Sequence, residues 1–156
     1  MGTVLVLGYG NPGRLDDGLG PALAERVAAL AVPGVEADAN YQLSVEDAAL
    51  VAEHDAVVFA DASVSGAEPF SYTELEAEDG TSFTSHHVDP RQVLYLAQTL
   101  FKSRVRGFLL GIRGYEFNEF DERLSAQARQ NLDAAAAFLE QHLPTVPPVD
   151  GVGTTG

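Results

Sequence analysis

The chain has 156 residues, a formal net charge of −14, 46% hydrophobic and 21% charged residues, and no cysteine. That length builds one domain with a sizeable core, and the missing thiols exclude disulfides, thiolate metal sites and cysteine nucleophiles. The acidic balance argues against nucleic acid or an anionic membrane surface as partner. No apolar run is long enough for a membrane span, and the N-terminus enters a strand without a basic region or cleavage site, so a cytoplasmic protein without membrane insertion is expected.

Thr3 to Leu7 is a short apolar run rich in β-branched residues, which reads as a buried strand. Gly8-Tyr9-Gly10-Asn11-Pro12-Gly13-Arg14-Leu15-Asp16-Asp17-Gly18-Leu19-Gly20 follows it, and Leu19, Leu23, Val27 and Leu30 then recur at helical spacing. The glycines therefore lie on a strand-to-helix turn, where open α/β sheets place their sites. Gly8-x-Gly10-x-x-Gly13 has the form of a dinucleotide fingerprint, and Asp38 stands where the ribose-binding acid would be. A pyrophosphate, however, needs N–H groups at a helix N-terminus. Pro12 removes one such donor, and Asp16 and Asp17 set two carboxylates against phosphate. The same pair suits a cation, because an acid in the first turn of a helix stays ionised. Helix capping by Asp16 or Asp17 is the plainer alternative.

Val35 to Ala39 reads as a short strand, and Ser44 with Asp47 resembles a capping box opening a helix to about Glu53. Ala56 to Ala60 is the most continuous apolar run, so it is expected at the centre of the sheet. It ends at Asp61, a carboxylate that is costly there unless paired, hydrogen-bonded or bound to metal. Phe70 to Leu75 alternates like an edge strand. Asp89 as N-cap and Pro90 at the first helical position start a helix with Val93, Leu96, Ala97, Leu100 and Phe101 as its buried face. Phe108 to Ile112 is the last strand, and Phe117 with Phe120 beyond it forms either a partner patch or packing under a loop. A final helix from Ser125 carries Leu124, Ala128, Leu132, Ala135 and Leu139 as a stripe and stops at Pro144. Residues 1–143 are expected to form a single α/β domain, and residues 144–156, rich in Pro and Gly, a disordered tail.

Gly-x-Gly-Asn-Pro, a short gap, then Asp-Asp-Gly-x-Gly resembles the N-terminal signature of the hydrogenase maturation proteases. These endopeptidases trim the C-terminal extension from the large subunit of nickel–iron hydrogenases. The likeness is tight over residues 3 to 20 and looser to about residue 142. It implies three metal-contacting, catalytic residues. Asp17 takes the second acidic position of the motif, with Asp16 left to cap or orient it. Asp61 takes the acid after the apolar strand, and His86 the histidine ahead of a helix, with His87 as the one-residue alternative. The loop Asn40-Tyr41-Gln42-Leu43 departs from the Asp-Gly-Gly-Thr type of many relatives, and Gln42 is either a substrate contact or an ordinary polar turn residue.

Alternating strands and helices imply an α/β fold of three layers, a twisted, mostly parallel sheet of about five strands with helices on both faces. The resemblance further implies that no cofactor is permanently bound. Nickel arrives with the substrate, a nickel–iron hydrogenase large-subunit precursor, although a site of two carboxylates and an imidazole would take other divalent ions as well. A monomer is expected. A Gly-x-Ser-x-Gly elbow and a His-Glu-x-x-His helix are absent from the sequence, and an aspartic-type pair would require Asp17 and Asp61 in contact with one of them protonated. Besides the endopeptidase, a dinucleotide-binding enzyme using the Gly8-Gly10-Gly13 turn and a non-catalytic nickel-binding maturation chaperone are the alternatives.

Overall fold

A computed structural model describes residues 3–79 and 88–143 of the chain. Its five strands are β1 (Val4–Tyr9), β2 (Val35–Asn40), β3 (Ala56–Ser63), β4 (Phe70–Leu75) and β5 (Arg106–Arg113). They lie in the order β2-β1-β3-β5-β4, all parallel except β4, which runs antiparallel to β5 at the edge. Four helices accompany them: α1 (Leu19–Leu30), α2 (Asp47–Ala52), α3 (Pro90–Leu100) and α4 (Ala126–His142). The expected mostly parallel sheet is therefore present, and the run from Ala56 is its central strand.

The two-residue period of a strand sorts its side chains onto opposite faces. Val4, Val6, Val58, Ala60, Phe108, Leu110 and Ile112 meet α1 and α4 on one face. Leu5, Leu7, Val57 and Phe59 meet α2 and α3 on the other. Strands buried on both faces need apolar residues at every position, which is why these segments read as continuous runs rather than alternating ones. On α1 the stripe Leu19, Leu23 and Val27 is buried, and on α4 so are Ala128, Leu132, Ala135 and Leu139. The Ser125 hydroxyl caps α4 by accepting the Ala128 N–H at 3.2 Å.

Three local expectations are corrected. Helix α2 begins at Asp47 rather than Ser44: only half of the capping box forms, the Ser44 N–H donating to Asp47 Oδ2 at 2.8 Å. The intervening residues instead make tight turns, with Asp47 and Ala48 N–H bonded to the carbonyls of Ser44 and Val45. On α3 the buried face is Val93, Leu94 and Ala97, while Leu100 and Phe101 are 68% and 51% exposed. Leu94 turns inward because Gly107 on β5 leaves room: a Cβ there would sit 2.9 Å from Leu94 Cδ2. Finally, β3 continues past its expected end at Asp61 to Ser63, so that acid lies within the strand rather than at its last position. The tail beyond residue 143 lies outside the described residues.

Candidate active site

The strand order turns back between β1 and β3, because the chain moves from β1 outward to β2 and then returns to the other side of β1. At such a switch point the carboxyl ends of the two strands leave a crevice, the usual place for a site in an open α/β sheet. Asp17 and Asp61 both belong to this rim. Asp61 lies near the end of β3, one residue past the Gly8–Ala60 pair. Asp17 lies in a short 3₁₀ turn, Leu15–Gly18, between β1 and α1.

Glycine is required here by close packing. A Cβ on Gly8 would lie 2.1 Å from the Gly20 carbonyl oxygen, and one on Gly20 would lie 2.5 Å from the oxygens of Tyr9 and Ala60. The start of α1 is thus pressed directly onto the ends of β1 and β3. Gly10, at φ +139°, adopts backbone that only glycine takes readily, and its missing side chain is where the Asp17 carbonyl sits. Gly8 and Gly20 are explained by helix–strand contact, and Gly10 by the close approach of the Leu15–Gly18 turn.

Within this frame Asp17 is held locally. Its Oδ2 accepts the Asn11 N–H at 2.8 Å, and its own N–H donates to the Arg14 carbonyl at 3.1 Å. Asp61 is partly buried, on the α2–α3 face of the sheet. Burial pushes its carboxyl up to about 6; hydrogen bonds from the Ala62 N–H and the Tyr9 hydroxyl pull the other way, and the nearby Asp17 charge adds to the rise. Tyr9 is the cross-strand neighbour of Asp61. Its own acidity is strongly suppressed, first by burial and then by the Asp61 charge, so it stays a proton donor to that carboxylate. Sequence reasoning missed Tyr9, because its role depends on β1 and β3 being adjacent.

Asp16 does not cap a helix. It is fully buried, and its Oδ2 accepts the N–H groups of Tyr115 (2.8 Å) and Glu116 (3.0 Å) and the Ser125 hydroxyl (2.7 Å). Oδ1 accepts the Ser125 N–H at 2.8 Å. Burial alone would raise its pKa, but these bonds together hold the carboxyl below the usual range. Asp17 makes no side-chain cap either, so both capping expectations are corrected.

His86 and His87 lie outside the described residues. Among the described residues no group of three His, Cys, Asp or Glu side chains is assembled for a metal; the structure brings together the two carboxylates Asp17 and Asp61. Gln42 is exposed in a bend after β2. His54, at the far end of β3, bonds the Leu50 carbonyl at 2.9 Å and Glu36 at 3.1 Å, a structural role. Phe117 packs against Gly114 while Phe120 is 84% exposed. Two open grooves lie along the segment from Gly10 to Gly18. One, of about 550 Å³, runs between Pro12, Gly18 and the α4 residues Arg129 and Leu132. The other, of about 330 Å³, runs between Gly10 and Tyr41, with Pro12, Pro21 and Glu25 as their shared wall.

A dinucleotide fits this turn poorly. Helix α1 starts at Leu19, well past Gly13. The N–H groups of Gly10, Asn11 and Gly13 already donate to Asn40 O, Asp17 Oδ2 and Asn11 Oδ1 at 3.0, 2.8 and 2.9 Å. Asp38 is exposed and bonds the next N–H in its own strand.

An α/β sheet of this topology is a fold that solved structures share. No family model matches the chain, and the comparison with curated proteins gives no match. Among solved structures, the [NiFe] hydrogenase maturation protease HycI from Thermococcus kodakarensis KOD1 superposes with a TM-score of 0.68 at 23% identity, over 89% of this chain and 90% of that one. The hydrogenase 2 maturation peptidase from Thaumarchaeota archaeon SCGC_AB-539-E09 gives 0.66 at 24%, over 89% and 96%. The hydrogenase maturating endopeptidase HybD from E. coli gives 0.62 at 20%, over 88% and 89%. The fold of this chain is that of the hydrogenase maturation proteases.

Proposed function

We propose that the protein is an endopeptidase that removes the C-terminal extension of a nickel–iron hydrogenase large-subunit precursor after recognising the nickel already inserted there. The observation that carries this reading is that Asp17 and Asp61 stand at one switch-point rim, near enough for the Asp17 charge to act on Asp61, on a fold shared with solved maturation proteases. Two neighbouring carboxylates repel one another when both are ionised, and a divalent cation between them relieves that repulsion. The ion is part of the substrate, and the protein has no resident metal. Asp17 and Asp61 supply oxygen ligands, and His86, or His87 in its place, supplies an imidazole. Ligation orients the scissile segment against the rim, and the nickel polarises a carbonyl or activates water there. The open grooves along the Gly10–Gly18 segment leave room for an extended peptide. Working in the cytoplasm as a monomer belongs to the same reading; among the described residues no helix is long and apolar enough to cross a membrane.

Substitution tests the reading. Asp17→Asn and Asp61→Asn each remove a charged ligand and are expected to abolish processing of a nickel-loaded precursor, followed by the precursor's mass. His86→Ala should do the same while His87→Ala retains activity; the reverse pattern would move the ligand by one residue. Full processing by both aspartate variants would overturn the site. Binding of precursor without cleavage by the wild-type protein would favour the non-catalytic chaperone instead.

A further inference from the structure

We propose that Asp16 is a positioning residue for Asp17: its buried carboxylate clamps the Leu15–Gly18 turn to the β5–α4 connection and so fixes where the neighbouring carboxylate points. The turn needs a clamp. Leu15 is buried with φ +51°, the left-handed region, which is strained for a side-chain-bearing residue and persists only when its surroundings impose it. Here the surroundings are the segment between β5 and α4. The Leu15 N–H donates to the Asp121 carbonyl and the Asp16 N–H to the Glu116 carbonyl, both at 2.9 Å. Arg14 Nε reaches the Phe117 carbonyl at 2.9 Å.

The Asp16 side chain completes this attachment from within. Its two oxygens take the donors of Tyr115, Glu116 and Ser125 described above, and Ser125 is also the N-cap of α4. A carboxylate buried at the N-terminus of a helix is stabilised by the aligned peptide dipoles as well as by its hydrogen bonds. Gly114 is shaped to admit it: a Cβ there would meet Asp16 Cβ at 2.9 Å. The next residue along the chain is Asp17, whose Oδ2 accepts the Asn11 N–H at 2.8 Å. Releasing Asp16 frees Leu15 to relax, and the turn then carries the Asp17 carboxylate away from Asn11. The consequence for an ion held at Asp17 rests on the function proposed above; the clamp does not.

The Asn11 amide therefore reports the direction of Asp17, and an amide proton donating to a carboxylate resonates downfield of one that does not. The experiment compares two-dimensional amide spectra of the wild-type protein, Asp16→Asn, Ser125→Ala and Asp17→Ala. Asp17→Ala marks the position of Asn11 without its acceptor. Asp16→Asn is expected to move the Asn11 proton at least halfway toward that position while β3 and α3 amides stay in place. Ser125→Ala, which removes one donor, should move it less and in the same direction. Processing by Asp16→Asn should show kcat reduced tenfold or more with KM changed less than twofold. An Asn11 resonance at its wild-type position in folded Asp16→Asn would overturn the clamp, as would the same result in Ser125→Ala if Asp16→Asn does not fold. A wild-type protein that cleaves no precursor would overturn the proposed function and leave the Asn11 comparison intact.

Discussion

Asp61 shows how a functional group can work against the stability of the fold that carries it. Its carboxyl is raised from the usual value near 4 to about 6 by burial and by Asp17. Between those values the folded chain binds a proton that the unfolded chain does not, so this group favours folding at low pH. That contribution is lost as pH rises through about 6. Asp61→Asn should therefore stabilise the fold at pH 7.5, by an amount on the order of 1–2 kcal/mol after allowing for partial exposure and weaker hydrogen bonding, read as a higher melting temperature. The gain should shrink near pH 4.5; a loss at both values would contradict the strained carboxylate. Processing should run in the opposite sense, falling as pH drops below about 6 and Asp61 takes up its proton. Asp17 and Asp61 were legible in the sequence, one from its place among glycines and the other from ending an apolar run. The partners of Asp16 were not, since Tyr115 and Ser125 lie 99 and 109 residues away and only the folded chain brings them near. Tyr9 was hidden for the same reason.

Among the elements, α3 starts from a complete capping box near the site. Asp89 accepts the Arg91 N–H at 2.8 Å, and its own N–H is taken by Gln92 Oε1 at 2.8 Å, a reciprocal capping box with Pro90 at the first position. The Asp89 charge also reaches Tyr9. Asp89→Ala should cost about 1 kcal/mol, or roughly 2–4 °C in melting temperature for a chain of this size, read by calorimetry. No change would mean that the box contributes nothing. Here the sequence announced the cap, because Asp-Pro before an apolar stripe has few other readings. It misjudged the inward face, because Leu94 is buried through Gly107, a small residue on another strand whose proximity no periodicity reveals. The start of α2 failed for a different reason: Ser44 and Asp47 form one of two reciprocal bonds, and local turns use the rest.

For the molecule as a whole, the order β2-β1-β3-β5-β4 decides what the side chains can do together. It sets the ends of β1 and β3 side by side, so that residues far apart in sequence, Asp17 and Asp61, share one rim and the Asp17 charge acts on Asp61. A parallel sheet covered on both faces was legible from alternating apolar runs and helical stripes. The centre and one edge of the strand order were legible too, from the unbroken apolar run of β3 and the alternation of β4; the places of β1, β2 and β5 were not, since neighbours are chosen by crossover geometry rather than by composition. Recognition of inserted nickel by that rim is the central claim, and one measurement tests it most directly. Hydrogenase large-subunit precursor, prepared nickel-loaded and nickel-free, is incubated with the protein and its intact mass is followed. Loss of a C-terminal peptide from the loaded form alone is the expected result; cleavage of both forms at equal rates, or of neither, would contradict it.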